Sequence, residues 1–332
     1  MRPPLEARVT RYARRHDLLP GGVPVLAMVS GGPDSLCLMH VLSEVHDGPV
    51  GVLTVDHGLR PESAAECERV LDAARALGLQ AWVRRPAVGG GPGLQARARA
   101  ARQAAALERA EAEGFARIAT GHTASDQAET VLFRIARGTG RSGALGMAPR
   151  SGPLVRPLLS VSRAETAAWC ARRGLVPARD PSNEDPAFAR ARVRHGLMPA
   201  LRAVHPDAEA AVARFADLLR DEAELLAGLE AGAWERVARP GTGPSSPAGL
   251  DAAALLAEPA PMRRLLVRRL LATAALPGEA AESRWIDVAL EVAAGGGAQE
   301  VPGGRLSAAG GLLVAVRAGR EEVPGAGRAA RR

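Results

Sequence analysis

Ser30-Gly31-Gly32-Pro33-Asp34-Ser35 carries the densest chemical information in the chain. The two glycines let a backbone take positive φ and approach a ligand closely. Pro33 and Asp34 suit the first turn of a helix, whose free N–H groups form a ready site for phosphate. The hydroxyls of Ser30 and Ser35 can add donors. A carboxylate beside phosphates repels them unless a cation lies between, so Asp34 implies Mg²⁺.

A second constellation is Gly121-His122-Thr123-Ala124-Ser125-Asp126-Gln127-Ala128-Glu129. Asp126 and Glu129 are spaced i, i+3 and share one helix face. Two carboxylates there could orient a substrate ammonium and hold Mg²⁺, and one of them, or His122, could accept a proton. The same pair also suits the acidic first turn of an ordinary helix, favoured by its dipole. Asp56-His57-Gly58 forms a third candidate, at a strand end where adenine and ribose would lie. Arg99, Arg102, Arg190, Arg192 and Arg194 are candidates for phosphate or RNA contact, since guanidinium forks suit phosphates and base edges.

These residues need a frame that gathers strand ends. From about residue 20 to 160 the pattern alternates: strands at Val23–Val29, Val50–Val55, Gln80–Arg84, Arg117–Thr120 and Val155–Leu158, with helices at Leu36–Val45, 61–77, 94–112 and 125–136. Repeated βα units mean an α/β fold, a parallel sheet with helices on both faces, whose ligands bind at the carboxyl ends of the strands. From Val161 to about Ala275 the reading is helical, with a long amphipathic helix at 208–234 and a Pro/Gly/Ser loop at 240–247. Gln299–Val316 reads as small β-hairpins, giving a small C-terminal α+β segment, and residues 320–332 as a disordered tail.

Composition narrows the chemistry. The 332 residues suffice for two or three domains, and 47% hydrophobic content supports a proper core. The net charge of +7 is what a protein that meets a polyanion shows, and equally what a coding bias that inflates Arg everywhere produces. All 43 residues counted as Lys or Arg are Arg. The missing Lys excludes a Walker A loop, a lysyl-adenylate and a Schiff base within the chain, so any reacting amine must come from a substrate. No apolar run is long enough to span a membrane and no secretory signal is visible, so the protein is expected in the cytoplasm without a membrane partner. Cys37, Cys67 and Cys170 lack metal-like spacing and read as reduced, buried thiols.

The loop at 30–35 resembles the pyrophosphate (PP) loop, SGGxDS, of ATP pyrophosphatases. Further segments follow in order: Val55-Asp56-His57-Gly58-Leu59-Arg60, then Gly121 to Thr130, Arg156-Pro157-Leu158-Leu159, Asp180-Pro181-Ser182-Asn183, and Arg190-Ala191-Arg192-Val193-Arg194-His195. The series resembles the tRNA(Ile)-lysidine synthetase family from about Val25 to Pro199. The resemblance implies a PP-loop fold, ATP with Mg²⁺, free L-lysine, and isoleucine tRNA with a CAU anticodon. It further implies that ATP adenylates the wobble cytidine at its C2 oxygen and that lysine displaces AMP, so that the codon read changes from AUG to AUA. Asp34, Asp126, Glu129 and His122 are then catalytic candidates. Ser30, Gly31, Gly32, Pro33, Asp34, Ser35, Asp56, His57 and Gly121 would hold ATP, and Asp34 and Asp126 the metal.

The chain departs from the family pattern at three points. Ser125-Asp126 stands where two acids often occur, Arg102-Gln103 where Arg-Tyr is common, and Arg190-Ala191 where Arg-Asn is common. The expected domains are 1–160 (ATP-binding, core about 20–160), 161–240 (helical, tRNA-binding) and 248–319 (substrate-binding). The apolar helix near Leu266–Leu271 could serve a homodimer. Competing readings are a sulfur-transferring enzyme, opposed by the absence of CxxC; an ammonia-using synthetase, opposed by the DxSN and RxRxRH segments; and a non-enzymatic tRNA binder, opposed by the intact loop.

Overall fold

The computed structural model describes residues 3–56, 58, 63–86, 91, 93–178, 189–240 and 248–318. The expectations for His57, Leu59-Arg60, Asp180–Asn183, the loop at 241–247 and the tail from residue 320 lie outside the described residues, as does the side chain of Arg190.

The chain forms two units, Met1–Arg220 and Asp221–Arg332. The first begins with helix α1 (Leu5–Arg15), then β1 (Val25–Met28), α2 (Pro33–Val45), β2 (Val50–Val55), α3 (Ser63–Ala76), β3 (Gln80–Arg84), α4 (Leu94–Glu113), β4 (Arg117–Thr120) and α5 (Ala124–Ala136). A short α6 (Arg141–Ala144) and the strands β5 (Arg150–Ser151) and β6 (Leu154–Val155) follow. Next come α7 (Arg163–Arg172), α8 (Ala189–Arg192), a π-helical turn at Val193–Leu197, α9 (Met198–Val204) and the start of the long α10 (Ala208–Val237), whose residues from Asp221 on count with the second unit.

The sheet runs β3-β2-β1-β4-β6-β5, parallel except for the β5–β6 pair. Met28 of β1 lies beside Leu53 of β2 and Thr120 of β4. Strand order reverses between β1 and β4, which makes their carboxyl ends the switch point where a ligand crevice opens. The strands are apolar on both faces because both are covered. Val25, Ala27, Val52 and Ala119 pack with α1, α2 and α7, while Leu26, Leu53 and Ile118 pack with Ala106 and Ala110 of α4.

The expected strand at 155–158 is shorter. Pro157 has no N–H to give a ladder, and Pro157–Ser160 turns into a 3-10 helix. The expected boundary at residue 160 also gives way: α7 packs on α2, with Cys170 Sγ 3.4 Å from the Pro33 carbonyl, so 161–220 belongs to the first unit.

The second unit contains the antiparallel sheet β7-β8-β11-β10-β9, built from β7 (Ala238–Arg239), β8 (Gly249–Asp251), β9 (Gly297–Val301), β10 (Gly304–Ala309) and β11 (Leu312–Arg317). It packs with α11 (Ala252–Ala257), α12 (Ala260–Thr273) and α13 (Ser283–Gly295). Leu266, Val267, Leu270 and Leu271 of α12 are buried in this unit's own core. The apolar face expected to serve a dimer is therefore spent internally, because a small sheet needs those side chains to bury its inner face.

Candidate active site

The loop after β1 is closed by its own residues. Gly31 takes φ +85, a conformation that disfavours a side chain. Ser35 Oγ donates to the Gly32 carbonyl at 3.0 Å and accepts from the Ser30 amide at 3.1 Å. Pro33 opens α2, and the first-turn amides of Asp34 and Ser35 have no intrahelical acceptor. Ser35 thus braces the loop, and its hydroxyl proton is already committed. The end of β4 comes against the same turn: a Cβ on Gly121 would sit 3.1 Å from the Asp34 carbonyl and the Ser35 amide.

Asp34 of the loop joins a cluster of three carboxylates and two guanidiniums. Thr123 caps α5, and its amide and hydroxyl both donate to Asp126 Oδ2, at 2.9 and 2.8 Å. That capping box fixes Asp126 and leaves Oδ1 toward Arg163, 2.7 Å away. One turn on, Glu129 is 1% exposed and receives Arg163 at 2.9 Å and both nitrogens of the Arg194 fork at 2.9 and 3.1 Å. Arg163 Nε also lies 3.6 Å from Asp34 Oδ2, so one guanidinium spans all three acids. Thr166 donates to the other Asp34 oxygen.

The charges are unequal in comfort. Burial pushes Glu129 up, but the hydrogen bonds of Arg194 and the charges of Arg163 and Arg194 outweigh it, holding the group below its ordinary value. Asp34 goes the other way. Burial raises it, and the nearby Asp126 charge adds to the rise. Thr166, Arg163 and Arg194 offset only part, so the carboxyl is raised to about 6. An acid held there lacks a full counter-charge, which a cation would supply.

Other expected site residues fall in different places. His122, beyond β4, has Nδ1 2.8 Å from Thr120 Oγ1. Asp56 is buried, and its carboxylate is committed to its own loop. It accepts from Ser63 Oγ at 2.7 Å, the Gly58 amide at 2.9 Å and Arg85 Nε at 3.0 Å, and these hold its pKa down. Arg194 sits inside the carboxylate cluster rather than on an open surface. Arg99 and Arg102 on α4 are exposed, and Arg99 lies near enough to Arg102 and Arg156 to lower the pKa of both beyond what burial does. Arg192 is exposed on α8. The three cysteines are buried, and burial raises each thiol, so none offers a thiolate.

Sequence reasoning missed Arg163, Thr166 and Glu209. A signal for Arg163 existed: Ser162-Arg163-Ala164-Glu165 is a capping box, and a cation at the first helical position opposes the helix dipole. Such a placement needs acids nearby. Glu209 of α10 is buried, accepts from Ser125 Oγ, and is gripped by Arg202, Nε to Oε1 at 2.6 Å. Gln127 also has a structural task, its amide bonding the Met147 amide and carbonyl at 2.7 and 3.0 Å.

Residues 7–201 match the family described as PP-loop domain. The tRNA(Ile)-lysidine synthase of Leifsonia xyli subsp. xyli is 40% identical over 311 residues, covering 91% of this chain and 92% of that protein. The enzyme of the same name from Thermobifida fusca is 40% identical over 285 residues, covering 84% and 86%. That from Salinispora tropica is 46% identical over 236 residues, covering 68% and 70%. Among solved structures, the U34-tRNA thiolase NcsA from Methanococcus maripaludis, with its [4Fe-4S] cluster, aligns with a TM-score of 0.52 at 18% identity, covering 65% of this chain and 79% of that one. At that identity the likeness concerns the fold.

Proposed function

The chain belongs to the tRNA(Ile)-lysidine synthase family, a family of ligases that form a carbon–nitrogen bond with use of ATP, and on that premise we propose its detailed reaction. The substrates are ATP, free L-lysine and isoleucine tRNA with a CAU anticodon. The C2 oxygen of the wobble cytidine attacks the α-phosphorus of ATP, and pyrophosphate leaves. The lysine ε-amine then attacks C2, the C2–O bond breaks, AMP leaves, and the amine's proton passes to a base.

The observation that carries this reading is the placement of the Asp34–Asp126–Glu129 cluster against the loop after β1. Loop amides of Asp34 and Ser35 take pyrophosphate oxygens. Asp34 and Asp126 offer hard oxygen donors, and among the described residues no set of three or more such side chains is arranged to hold an ion by itself. That donor set fits Mg²⁺ held by one or two carboxylates together with phosphates and water. When bound, Mg²⁺ neutralises charge on the leaving pyrophosphate. Asp126 and Glu129 orient the lysine ammonium. Glu129 is held too acidic to take a proton near neutrality, so His122 is the better acceptor. Arg99, Arg102 and Arg192 recruit the tRNA backbone, whereas Arg194 sets Glu129.

Sulfur transfer is disfavoured because every cysteine is buried and protonated. The deciding experiment is incorporation of radiolabelled lysine into unfractionated tRNA with ATP and Mg²⁺, for wild type and Asp34→Ala. ATP-dependent incorporation, absent in the variant, supports the proposal. Pyrophosphate release without lysine incorporation would require a different nucleophile, and neither signal would leave a tRNA-binding protein.

A further inference from the structure

Arg163 stands where the reaction needs other cations. Its guanidinium reaches Asp126 Oδ1 at 2.7 Å, Glu129 Oε1 at 2.9 Å and, through Nε, Asp34 Oδ2 at 3.6 Å. Those are the carboxylates that the reading above gives to Mg²⁺ and to the lysine ammonium. Much of their accepting capacity is spent. Asp126 Oδ2 takes two donors from Thr123, and Glu129 Oε1 takes one from Arg163 and one from Arg194. A carboxylate oxygen has two lone pairs, and an ammonium brings three donors. A substrate ammonium therefore meets Asp126 and Glu129 together only if a guanidinium gives up its place.

The geometry says which one leaves. Arg194 grips Glu129 with two nitrogens, at 2.9 and 3.1 Å, the stronger fork arrangement. Arg163 gives each acid a single nitrogen. It also occupies the first position of α7, where the helix dipole opposes a cation. Its backbone is held independently of its side chain: the amide donates to Ser125 Oγ at 3.0 Å, and the carbonyl accepts from Thr166 Oγ1 at 2.9 Å. The guanidinium can thus rotate about its side-chain bonds while α7 stays in place. Its Nε borders Asp34, whose amide opens α2 without an intrahelical acceptor, so the place given to the phosphates is adjacent.

We infer that Arg163 holds the place of the substrate ammonium between Asp126 and Glu129, and turns onto the phosphates of ATP when the nucleotide binds. The inference rests on the lysine-ligating reading and adds an order of events to it. Lysine is excluded until ATP draws Arg163 away, so the nucleophile is seated only in a site that already holds the nucleotide. On the phosphates the same guanidinium faces the charge that develops on the leaving pyrophosphate.

The test is calorimetric titration of the full chain with L-lysine, with and without Mg²⁺ and the non-hydrolysable analogue α,β-methylene-ATP, for wild type, Arg163→Gln and Arg163→Lys. Circular dichroism and thermal melts first establish folding. In wild type the analogue should tighten lysine binding about tenfold, and lysine should tighten analogue binding by the same factor. Arg163→Gln should bind lysine without nucleotide about tenfold tighter than wild type does, lose the coupling, and bind the analogue about tenfold more weakly. A gain of lysine affinity is what a purely structural role for Arg163 would not give. Norleucine, which lacks the side-chain ammonium, should show no coupling in either protein. Arg163→Lys, with one ammonium in place of a fork, should fall between, and it carries the comparison together with the wild-type coupling if Arg163→Gln does not fold. Wild-type lysine affinity that ignores the analogue overturns the inference. So does an Arg163→Gln variant that binds lysine no tighter than wild type, keeps the coupling, or keeps wild-type affinity for the analogue. In each of these cases lysine still binds, and the ligase reading stands. If neither protein binds lysine with or without the analogue, the lysine-ligating reading falls and takes the inference with it.

Discussion

Ser125 donates a hydrogen bond to Glu209, 84 residues away, and also accepts the Arg163 amide at 3.0 Å. The position where relatives often carry a second acid thus holds a hydroxyl, with a carboxylate from another helix lying against it. Ser125→Asp should therefore be destabilising here, because two acids would meet in a buried space that Arg202 alone cannot neutralise. A loss of about 2 kcal/mol or more is expected in urea denaturation. Adding Glu209→Gln should recover most of it. A stable single variant would contradict the arrangement.

Asp34 sets a pH dependence with a definite sign. Its carboxyl rises from an ordinary 3.8 to about 6 in the folded protein. The folded state therefore holds a proton that the unfolded state has released across that window. Stability falls as pH rises from about 4 to 6, then levels, for a total of about 3 kcal/mol. Asp34→Asn should remove that slope and make the ligand-free protein more stable than wild type at pH 7.5, while abolishing lysine incorporation. Denaturation midpoints at pH 4.5 and 7.5 test it; a variant no more stable at pH 7.5 would refute it.

Glu129→Gln leaves Arg163 and Arg194 facing a neutral group. Breaking such a pair should cost about 2–4 kcal/mol, discounted for the partial exposure of both arginines. Arg194→Gln should cost less, because Arg163 still balances Glu129. Guanidinium denaturation of the two variants ranks them, and the reverse order would mean that Arg163 does not hold Glu129.

Gly121→Ala places a methyl 3.1 Å from the Asp34 carbonyl and Ser35 amide, backbone atoms that must shift to admit it. The displaced atoms belong to the first turn of α2, so the KM for ATP should rise about tenfold. The melting temperature should move by only a few degrees. A normal KM for ATP would argue that this turn does not hold the nucleotide.

Much of this architecture was legible because periodicity and punctuation agreed. The β1–loop–α2 unit announced itself through an apolar run, two glycines and a proline, and Arg117–Thr120 matched β4 to the residue. The placement of Asp126 and Glu129 on one helix face was legible because i, i+3 spacing is local. Arg163 and Glu209 were not, since their partners lie 37 and 84 residues away and no local pattern encodes such distances. Arg194 reads from sequence as a candidate for phosphate or RNA contact; its tie to Glu129 depends on the π-helical turn Val193–Leu197, which no alternation of arginines foretells. The edge strand β7 of the second sheet and its neighbour β8 were missed because they are two and three residues long.

The cations of the carboxylate cluster are guanidiniums only, and the chain contains no lysine at all. A guanidinium keeps its proton and has no free electron pair to attack with. Cys37 and Cys170, close behind the loop, are kept as thiols by burial. An activated base in this crevice would therefore meet guanidiniums and thiols in place of amines and thiolates. No amine or thiolate of the enzyme would stand there to compete with the incoming lysine amine.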